Sequence, residues 1–231
     1  MSQLLYISDV FCPWCFGFVP VLSQLRRDHP ELPVRVLAGS LVEEPTTIAR
    51  MRERSPNIRD FFLRLEKTTG RSAAAFIHLL DTDSPILMHS PEINRTLAAL
   101  KRLVPGNALL QLETFQNALY GMGKDILNPD VQRDLVTSLG ADADSCALLL
   151  KDPAVAEEAV SETETALDIL DEFPVYPTLF LENGMERMPL TRGYAPYETV
   201  RARLDAALTG GEQQNGDYTE GAACGLDGTC C

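Results

Sequence analysis

Cys12-Pro13-Trp14-Cys15 follows a short apolar stretch, Leu4-Leu5-Tyr6-Ile7, and opens a helical pattern. The spacing predicts two thiols at the junction between a strand and a helix. The first thiol would sit at the helix N-terminus, where unsatisfied N–H groups and the helix dipole favour a thiolate over a thiol. The second would lie one turn further along, close enough to close or resolve a disulfide. Thiol–disulfide exchange requires this placement.

The same C-x-x-C spacing occurs in zinc sites and between structural cysteines, so on its own it is weak evidence. A zinc site needs a second pair of ligands, and the histidines at 29, 78 and 89 form no H-x-x-x-H pair. Cys146 stands alone in a leucine-rich segment, where we expect it to pack as a small apolar residue. A redox pair is therefore favoured over a zinc knuckle.

Length and charge narrow the class of protein. The 231 residues suffice for one large domain or for a domain with an insertion. The formal net charge of −13 opposes non-specific binding to nucleic acid or to an anionic membrane. The N-terminus lacks the basic region of a signal peptide, so we expect a cytoplasmic protein. Disulfides in the cytosol tend to be transient, catalytic or sensing, so six cysteines favour chemistry over cross-links.

The first forty residues alternate strand, helix and strand, with strands at 3–8 and 34–37 and a helix over 12–27. Two strands joined by a helix predict a parallel βαβ unit. Pro20 inside the helical pattern predicts a kink or an irregular first turn. Over residues 44–151 strand signals vanish and helical signals repeat, which predicts a helical block. The block either caps the sheet or forms a lid that shapes access to the thiols.

The last part of the chain predicts a helix, a hairpin and a helix. After residue 152 a long helix is predicted from apolar and small residues at helical spacing: Ala156, Val160, Thr163, Leu167 and Leu170. Asn183-Gly184 predicts a hairpin turn, and Pro189 places the returning strand at the sheet edge. A final helix covers residues 196–208.

This order is the layout of an α/β thioredoxin-like fold with a large all-helical insertion. We predict a discontinuous thioredoxin-like domain of residues 1–43 and 152–209, interrupted by a helical insertion domain of residues 44–151. Residues 210–231 are rich in Gly, Gln, Asn and Asp and predict a flexible, cysteine-containing tail.

In this layout Tyr176-Pro177 lies opposite the thiol pair. An X-Pro bond adopts the cis form at low cost, and a cis proline bends the chain sharply. The backbone of Tyr176 would then pair with an extended substrate peptide. A trans proline that begins a strand is the alternative.

The chain resembles the DsbA family of thioredoxin-fold oxidoreductases, and especially its FrnE-type cytoplasmic branch, over residues 3–208. The likeness rests on these stretches: Asp9-Val10-Phe11-Cys12-Pro13-Trp14-Cys15-Phe16-Gly17-Phe18, Tyr176-Pro177-Thr178-Leu179 and Gly193-Tyr194. The resemblance implies that Cys12 is the nucleophile, Cys15 the resolving thiol and Pro177 a cis proline. It also implies that the helical block is the family's inserted domain. Pro-Trp stands between the cysteines where the best-known periplasmic members have Pro-His, so their redox potential does not carry over.

We therefore predict a thiol–disulfide oxidoreductase that acts on protein or peptide disulfides through Cys12 and Cys15 without a cofactor or metal. Its recycling partner would be a reductant or oxidant such as glutathione or thioredoxin. Trp14 is expected to offer an apolar contact beside the Cys12 sulfur, and Tyr176 to position the peptide. Asp9 is expected to cap or orient the first helical turn, or to accept the Cys15 proton.

Three interpretations of the tail thiols stay open. Cys224 and Cys230 form a mobile dithiol that exchanges with the active pair, because a short tether gives a high effective concentration. Alternatively they form a local disulfide or have no role. In the third interpretation Cys230-Cys231 and Cys224 capture a soft metal ion.

Two other classes of protein share features with this chain. Kappa-class glutathione transferases and chromene-carboxylate isomerases resemble it in topology, but typically have serine where this chain has Cys12. A holdase or metal-binding protein would use the helical block as an apolar surface and the tail as a metal ligand.

Overall fold

The computed structural model describes residues 2–171, 174–209 and 222–225. The chain begins with β1 (Ser2–Ser8), α1 (Pro13–Asp28) and β2 (Val34–Ala38). β1 and β2 pair in parallel, which confirms the predicted βαβ unit. α1 runs without interruption through Pro20. The carbonyl of Phe16, which loses its helical N–H partner at this proline, accepts a hydrogen bond from Arg71 Nη1 at 2.9 Å instead.

Helices dominate the block that the sequence predicts to be helical. They are α2 (Ile48–Arg54), α3 (Ile58–Thr69), α4 (Ala74–Asp81), α5 (Ser90–Leu103), α6 (Ala108–Gln116), α7 (Pro129–Ser138) and α8 (Ala143–Leu149). A π-helical turn, Asn117–Gly121, follows α6 directly. The block also contains β3 (Thr46–Thr47) and β4 (Leu87–Met88), which pair antiparallel. The prediction of no strands here is wrong because two-residue strands are too short to show alternation.

The last elements along the chain are α9 (Pro153–Leu170), β5 (Val175–Tyr176), β6 (Thr178–Asn183), β7 (Glu186–Arg192) and α10 (Tyr197–Leu208), of which β6 and β7 complete the sheet. The strand order is β2-β1-β6-β7, with β6 antiparallel to both β1 and β7. β7 lies at the edge and holds Pro189, and Gly184 takes a φ of 64° in the turn before it. The predicted hairpin and edge strand are confirmed.

The predicted apolar face of α9 is wrong by one residue. Its buried residues are Val155, Ala159, Ala166 and Leu170, whereas Val160 is 56% exposed. Small residues are so frequent in this helix that several stripes have helical spacing. Packing against α5 and β2 selects among them, and Glu162 on the same face accepts hydrogen bonds from Ala38 N–H and Lys101.

A short strand from the tail joins the structure. β8 (Cys224–Gly225) pairs antiparallel with β5, and Ala222 O accepts a hydrogen bond from Tyr194 N–H at 2.8 Å. The prediction of a flexible tail is wrong for residues 222–225, because the free backbone edge of β5 pairs with them. The rest of the predicted tail, with Cys230 and Cys231, lies outside the described residues. Whether the two predicted domains are separate units stays a prediction.

The thioredoxin-like sheet and the helical insertion share one apolar core. Aromatic side chains of α1, α3, α4 and the π-helical turn meet there: Phe16, Phe62, Phe76 and Tyr120. Cys146 packs in the insertion with 3% of its surface exposed, as predicted. Within the described ranges, no helix has the length and apolar character needed to cross a bilayer.

Candidate active site

Cys12 occupies the N-cap of α1. Its backbone is extended, with φ −88° and ψ 113°, and its Sγ accepts the N–H of Cys15 at 3.2 Å. Pro13 fills the first helical position, where the missing N–H leaves no donor unsatisfied. A sulfur at this position faces the positive end of the helix dipole, which favours its ionised form.

Asp9 organises the loop that leads into α1. Its Oδ1 accepts the N–H of Phe11 at 2.7 Å, its Oδ2 accepts the N–H of Leu41 at 3.1 Å, and its carbonyl accepts the N–H of Cys12 at 3.2 Å. The prediction that Asp9 orients the first turn is confirmed. Burial raises the pKa of its carboxyl to about 6, against the hydrogen bonds it accepts. This carboxyl also faces the thiol of Cys224, and its predicted role as proton acceptor for Cys15 stays a prediction.

The peptide bond between Tyr176 and Pro177 is cis. Tyr176 is fully buried, and its hydroxyl accepts the N–H of Ser40 at 3.2 Å. A Cβ on Gly39 would lie 2.3 Å from the Tyr176 ring, so only glycine allows the loop after β2 to pass this side chain. Burial raises the pKa of the Tyr176 phenol, and the carboxylate of Asp9 adds to the effect.

The tail strand brings a third cysteine to the thiol pair. Cys224 bridges to Tyr176 and Gly225 to Val175 in an antiparallel register. Cys224 is fully buried, and its thiol lies against that of Cys12. Among the described residues, no disulfide joins Cys12, Cys15, Cys146 and Cys224. The structure therefore collects Cys12, Cys15 and Cys224 at one point.

The prediction that Cys12 is partly exposed and rich in thiolate is wrong for this conformation. Cys12 and Cys15 are both completely buried. Burial raises the pKa of the Cys12 thiol well above its usual range, and the adjacent thiols of Cys15 and Cys224 add to this. The sequence does not show that a segment more than 200 residues away packs against this sulfur.

Trp14 is buried in this conformation, and its predicted contact with substrate stays a prediction. It is 2% exposed and packs edge-on against Phe61, with ring centroids 5.6 Å apart, and beside Tyr194 at 5.8 Å. Trp14 and Phe18 lie four residues apart on the buried face of α1, a signal that the sequence did contain. Trp14 joins the active helix to α3 and to the loop after β7.

Several residues near the thiols belong to no sequence motif, so the sequence alone does not show that they lie at the site. Gln116 Nε2 donates to Asp9 O at 3.1 Å, and the Tyr120 hydroxyl donates to Phe11 O at 2.6 Å. Both come from the end of α6 and its π-helical turn, a feature that often marks functional sites. Tyr6 in β1 lies beneath the pair, with its hydroxyl beside Cys15.

A cavity of about 740 Å³ opens beside the N-terminus of α1. Its wall combines Phe11 and Pro13 with further apolar residues, which are Leu41, Met51, Ile58, Phe61 and Met88. Charged residues of both signs also line it: Glu43, Glu44, Arg54 and Arg64. The helical block therefore forms one side of the cavity beside the N-terminus of α1.

Three solved structures illustrate the proteins to which this chain is similar in fold. A candidate protein disulfide isomerase from Nitrosomonas europaea superposes with a TM-score of 0.76 at 21% identity, covering 90% of this chain and 98% of the other. The cytosolic disulfide reductase DsbM from Pseudomonas aeruginosa gives 0.71 at 23% identity, with 90% and 98% covered. A 2-hydroxychromene-2-carboxylate isomerase gives 0.56 at 15% identity, with 90% and 94% covered. At these identities the likeness shows the fold.

A search of curated proteins finds no match. The family described as the DSBA-like thioredoxin domain matches residues 3–170, which include both active-site cysteines and the helical insertion. Since this match spans more than half of the sequence, the chain belongs to the DSBA-like thioredoxin domain family.

Proposed function

We propose that this protein is a thiol–disulfide oxidoreductase that acts on protein or peptide disulfides through Cys12 and Cys15. The observation that carries the proposal is the seating of Cys224. An extended segment bearing a cysteine pairs with the backbone of Tyr176 and presents its sulfur to Cys12. A substrate strand with a cysteine needs the same two contacts.

Reduction of a substrate proceeds in two exchanges. The Cys12 thiolate attacks one sulfur of the substrate disulfide, forms a mixed disulfide and releases the other substrate sulfur as a thiolate. The Cys15 thiolate then attacks the Cys12 sulfur and releases the second substrate thiolate. The substrate gains two electrons, and a Cys12–Cys15 disulfide forms. The reverse sequence oxidises a dithiol, and the reduction potential of the pair sets the favoured direction.

In the proposed cycle, Cys12 becomes reactive only when residues 222–225 detach from β5. In the closed conformation burial raises the pKa of Cys12, which opposes ionisation. Once residues 222–225 detach, water reaches the sulfur while the N–H of Cys15 and the helix dipole remain in place. Substrate binding and Cys12 activation are therefore coupled, because both require the edge of β5 to be free.

Pro177 and Tyr176 position the substrate in this proposal. Tyr176 offers its backbone N–H and C=O to the peptide, and the turn at Pro177 brings that edge up to the thiols. The Gly193 N–H donates to Pro177 O at 2.7 Å and fixes the turn. Trp14 supports the site from behind through its contacts with Phe61 and Tyr194.

Cys224 also serves as an accessory redox thiol in the proposed cycle. Its thiolate attacks Cys12 of the oxidised pair, and Cys15 leaves as a thiolate. Cys230 or Cys231 then attacks the Cys224 sulfur, which frees Cys12 and leaves a disulfide in the tail. Two electrons thus pass from the tail to the active pair, and an external thiol reductant such as glutathione or thioredoxin restores the tail. The contact between Cys224 and Cys12 supports this relay over a local disulfide or a metal site.

The proposed setting is the cytosol, with a reducing direction. The Pseudomonas aeruginosa relative of the same fold is a cytosolic disulfide reductase, and its structure has also been solved with GSH. That likeness supports disulfides as substrates, and we propose glutathione as the recycling thiol because the relative binds it.

Reduction of insulin disulfides by the full-length protein tests the proposal. Wild type is expected to turn over with a thiol reductant, and Cys12→Ser is expected to abolish turnover. Cys146→Ser is the matched control, because Cys146 is buried far along the insertion and should leave turnover unchanged. Activity that survives Cys12→Ser would overturn the proposal. Conjugation of glutathione to an electrophile that persists in Cys15→Ser would favour the glutathione transferase class instead.

A further inference from the structure

We propose that the phenol of Tyr6 donates a hydrogen bond to the Cys15 sulfur when that thiol ionises, and so acts as a further catalytic residue of the resolving step. The inference rests on the exchange chemistry of Cys12 and Cys15 proposed above. It assigns a chemical role to a side chain in the middle of the first strand.

Tyr6 lies in the core directly below the active helix. It is completely buried, and its ring stacks on Phe18 of α1 with centroids 5.9 Å apart and planes inclined by 30°. Its hydroxyl lies beside the side chains of Ser8 and Cys15. Within the described ranges, no group forms a well-aligned hydrogen bond with this hydroxyl. A buried hydroxyl without a partner is unfavourable, and phenylalanine would fill nearly the same volume.

A second polar side chain supports the phenol. Ser8 is two residues along β1 and therefore on the same face of the strand as Tyr6. Ser8 is also fully buried, and its Oγ accepts Gln116 Nε2 at 3.5 Å. With its oxygen engaged in this way, the Ser8 hydroxyl is free to donate to the oxygen of Tyr6. The three polar groups form a line from Gln116 to Cys15 through an otherwise apolar core.

The surroundings of Cys15 leave the phenol as the suitable donor. In the described part of the chain, Cys15 faces the phenols of Tyr6 from β1 and Tyr176 from β5 and the thiol of Cys12 at the N-cap of α1. None of these is a cation, so a thiolate formed at Cys15 needs a neutral hydrogen-bond donor. The Tyr176 hydroxyl accepts the N–H of Ser40 and meets Cys15 only at longer range, whereas the Tyr6 hydroxyl lies directly beside the Cys15 side chain.

The phenol acts as a donor and not as a base. Burial raises the pKa of Tyr6 well above its usual range, and the adjacent Cys15 adds to the effect. Tyr6 therefore keeps its proton at neutral pH. During resolution the Cys15 proton passes to solvent, the thiolate attacks the Cys12 sulfur, and the departing substrate thiolate takes up a proton from solvent. Tyr6 stabilises the thiolate throughout and is unchanged at the end.

Stopped-flow exchange with Ellman's reagent tests this role in the full-length chain. The reference protein for these measurements, called the parent, carries Cys224→Ser, Cys230→Ser and Cys231→Ser. In the parent, Cys12 and Cys15 are the thiols at the site that can react with the reagent. The first phase releases thionitrobenzoate as Cys12 forms a mixed disulfide, and the second releases another as Cys15 resolves it. Tyr6→Phe is expected to slow the second phase by roughly ten- to hundredfold at neutral pH, the usual effect of losing a hydrogen bond to a charged group. Its rate–pH profile should move to higher pH, with little change in the first phase.

Two further measurements separate catalysis from structure. Tyr6→Phe should melt close to the temperature of the parent, because the lost hydroxyl has no well-aligned hydrogen bond among the described residues and phenylalanine fills nearly the same volume. Ser8→Ala should slow the second phase in the same direction by a smaller factor, and it decides the question if Tyr6→Phe does not fold. An unchanged second phase and pH profile in the folded Tyr6 variant, or in Ser8→Ala in its place, would overturn the inference. A parent with no second phase would overturn the proposed function together with it.

Discussion

Cys224 forms an antiparallel bridge with Tyr176, the residue before the cis peptide bond, and its thiol lies against Cys12. The protein therefore occupies its own site with a strand that has the register expected of a substrate. Two properties of the molecule follow from this one contact. The tail limits access to Cys12, and it holds a sulfur where it can exchange with Cys12.

Removal of the tail should expose the nucleophile. A chain ending at Thr209 lacks β8, so Cys12 should react with iodoacetamide at least about tenfold faster than in the full-length protein, since a buried thiol with a raised pKa is a poor nucleophile. The pH profile of alkylation should also move to lower pH. Peptide mass spectrometry of the alkylated protein measures both, with Cys146 as an internal control whose rate should stay low. Equal Cys12 rates in the two chains would show that the tail does not cover it.

Replacement of Cys224 by serine should separate the two proposed roles of the tail, which are to bury Cys12 and to exchange a thiol with it. Serine keeps the backbone pairing with Tyr176, so Cys12 alkylation should remain slow. The relay loses its first thiol, so re-reduction of the Cys12–Cys15 disulfide by glutathione should fall by roughly tenfold or more, the advantage of a tethered thiol. Rapid quenching with a maleimide followed by gel shift measures this rate. Unchanged re-reduction would discard the relay and leave the tail as a cover only.

Asp9 should make stability depend on pH. Its pKa is raised from 3.8 to about 6 in the fold, so the folded chain binds the proton more tightly than the unfolded chain. The associated stability is fully present below about pH 4 and is lost as the pH rises through about 6, by about 3 kcal/mol at about 1.4 kcal/mol per pKa unit. Urea unfolding of wild type and Asp9→Asn from about pH 4 to about pH 7 measures the effect. The difference between the two free energies of unfolding should change by this amount in favour of the variant. A difference independent of pH would contradict the shifted pKa.

Gly39 should tolerate no side chain. An added Cβ would lie 2.3 Å from the ring of Tyr176, and this ring is fully buried. Gly39→Ala should lower the free energy of unfolding by about 1–3 kcal/mol, the usual cost of overpacking. It should also reduce insulin turnover, because Tyr176 must move. Ser161→Ala on the exposed face of α9 is the control for both measurements. Normal stability and turnover in Gly39→Ala would show that Tyr176 adapts freely.

Much of the fold could be predicted from local signals in the sequence. Cys12 at a strand–helix junction, Asn183-Gly184 in the hairpin and Asp152-Pro153 at the start of α9 each act within a few residues, and the structure has each element where these signals place it. The cis bond at Pro177 agrees with what the family resemblance implies.

The rest depended on contacts between distant segments. The burial of Cys12 and the seating of Cys224 require residues 222–225 to reach the edge of β5, which no local pattern reveals. The burial of Trp14 is of the same kind, although its spacing to Phe18 indicates the core face of α1. The prediction of the buried face of α9 is wrong for a similar reason. Several stripes of small residues have helical spacing, and only the packing against α5 selects the stripe that is buried.

The central claim is that Cys12 exchanges with a substrate disulfide and Cys15 completes the exchange. The most direct measurement is peptide mass spectrometry of Cys15→Ser/Cys224→Ser after incubation with insulin under non-reducing conditions. In this variant the two thiols that contact Cys12 are absent, so the account predicts an insulin chain trapped in a disulfide with Cys12. No adduct at Cys12, or adducts at other cysteines alone, would contradict the account.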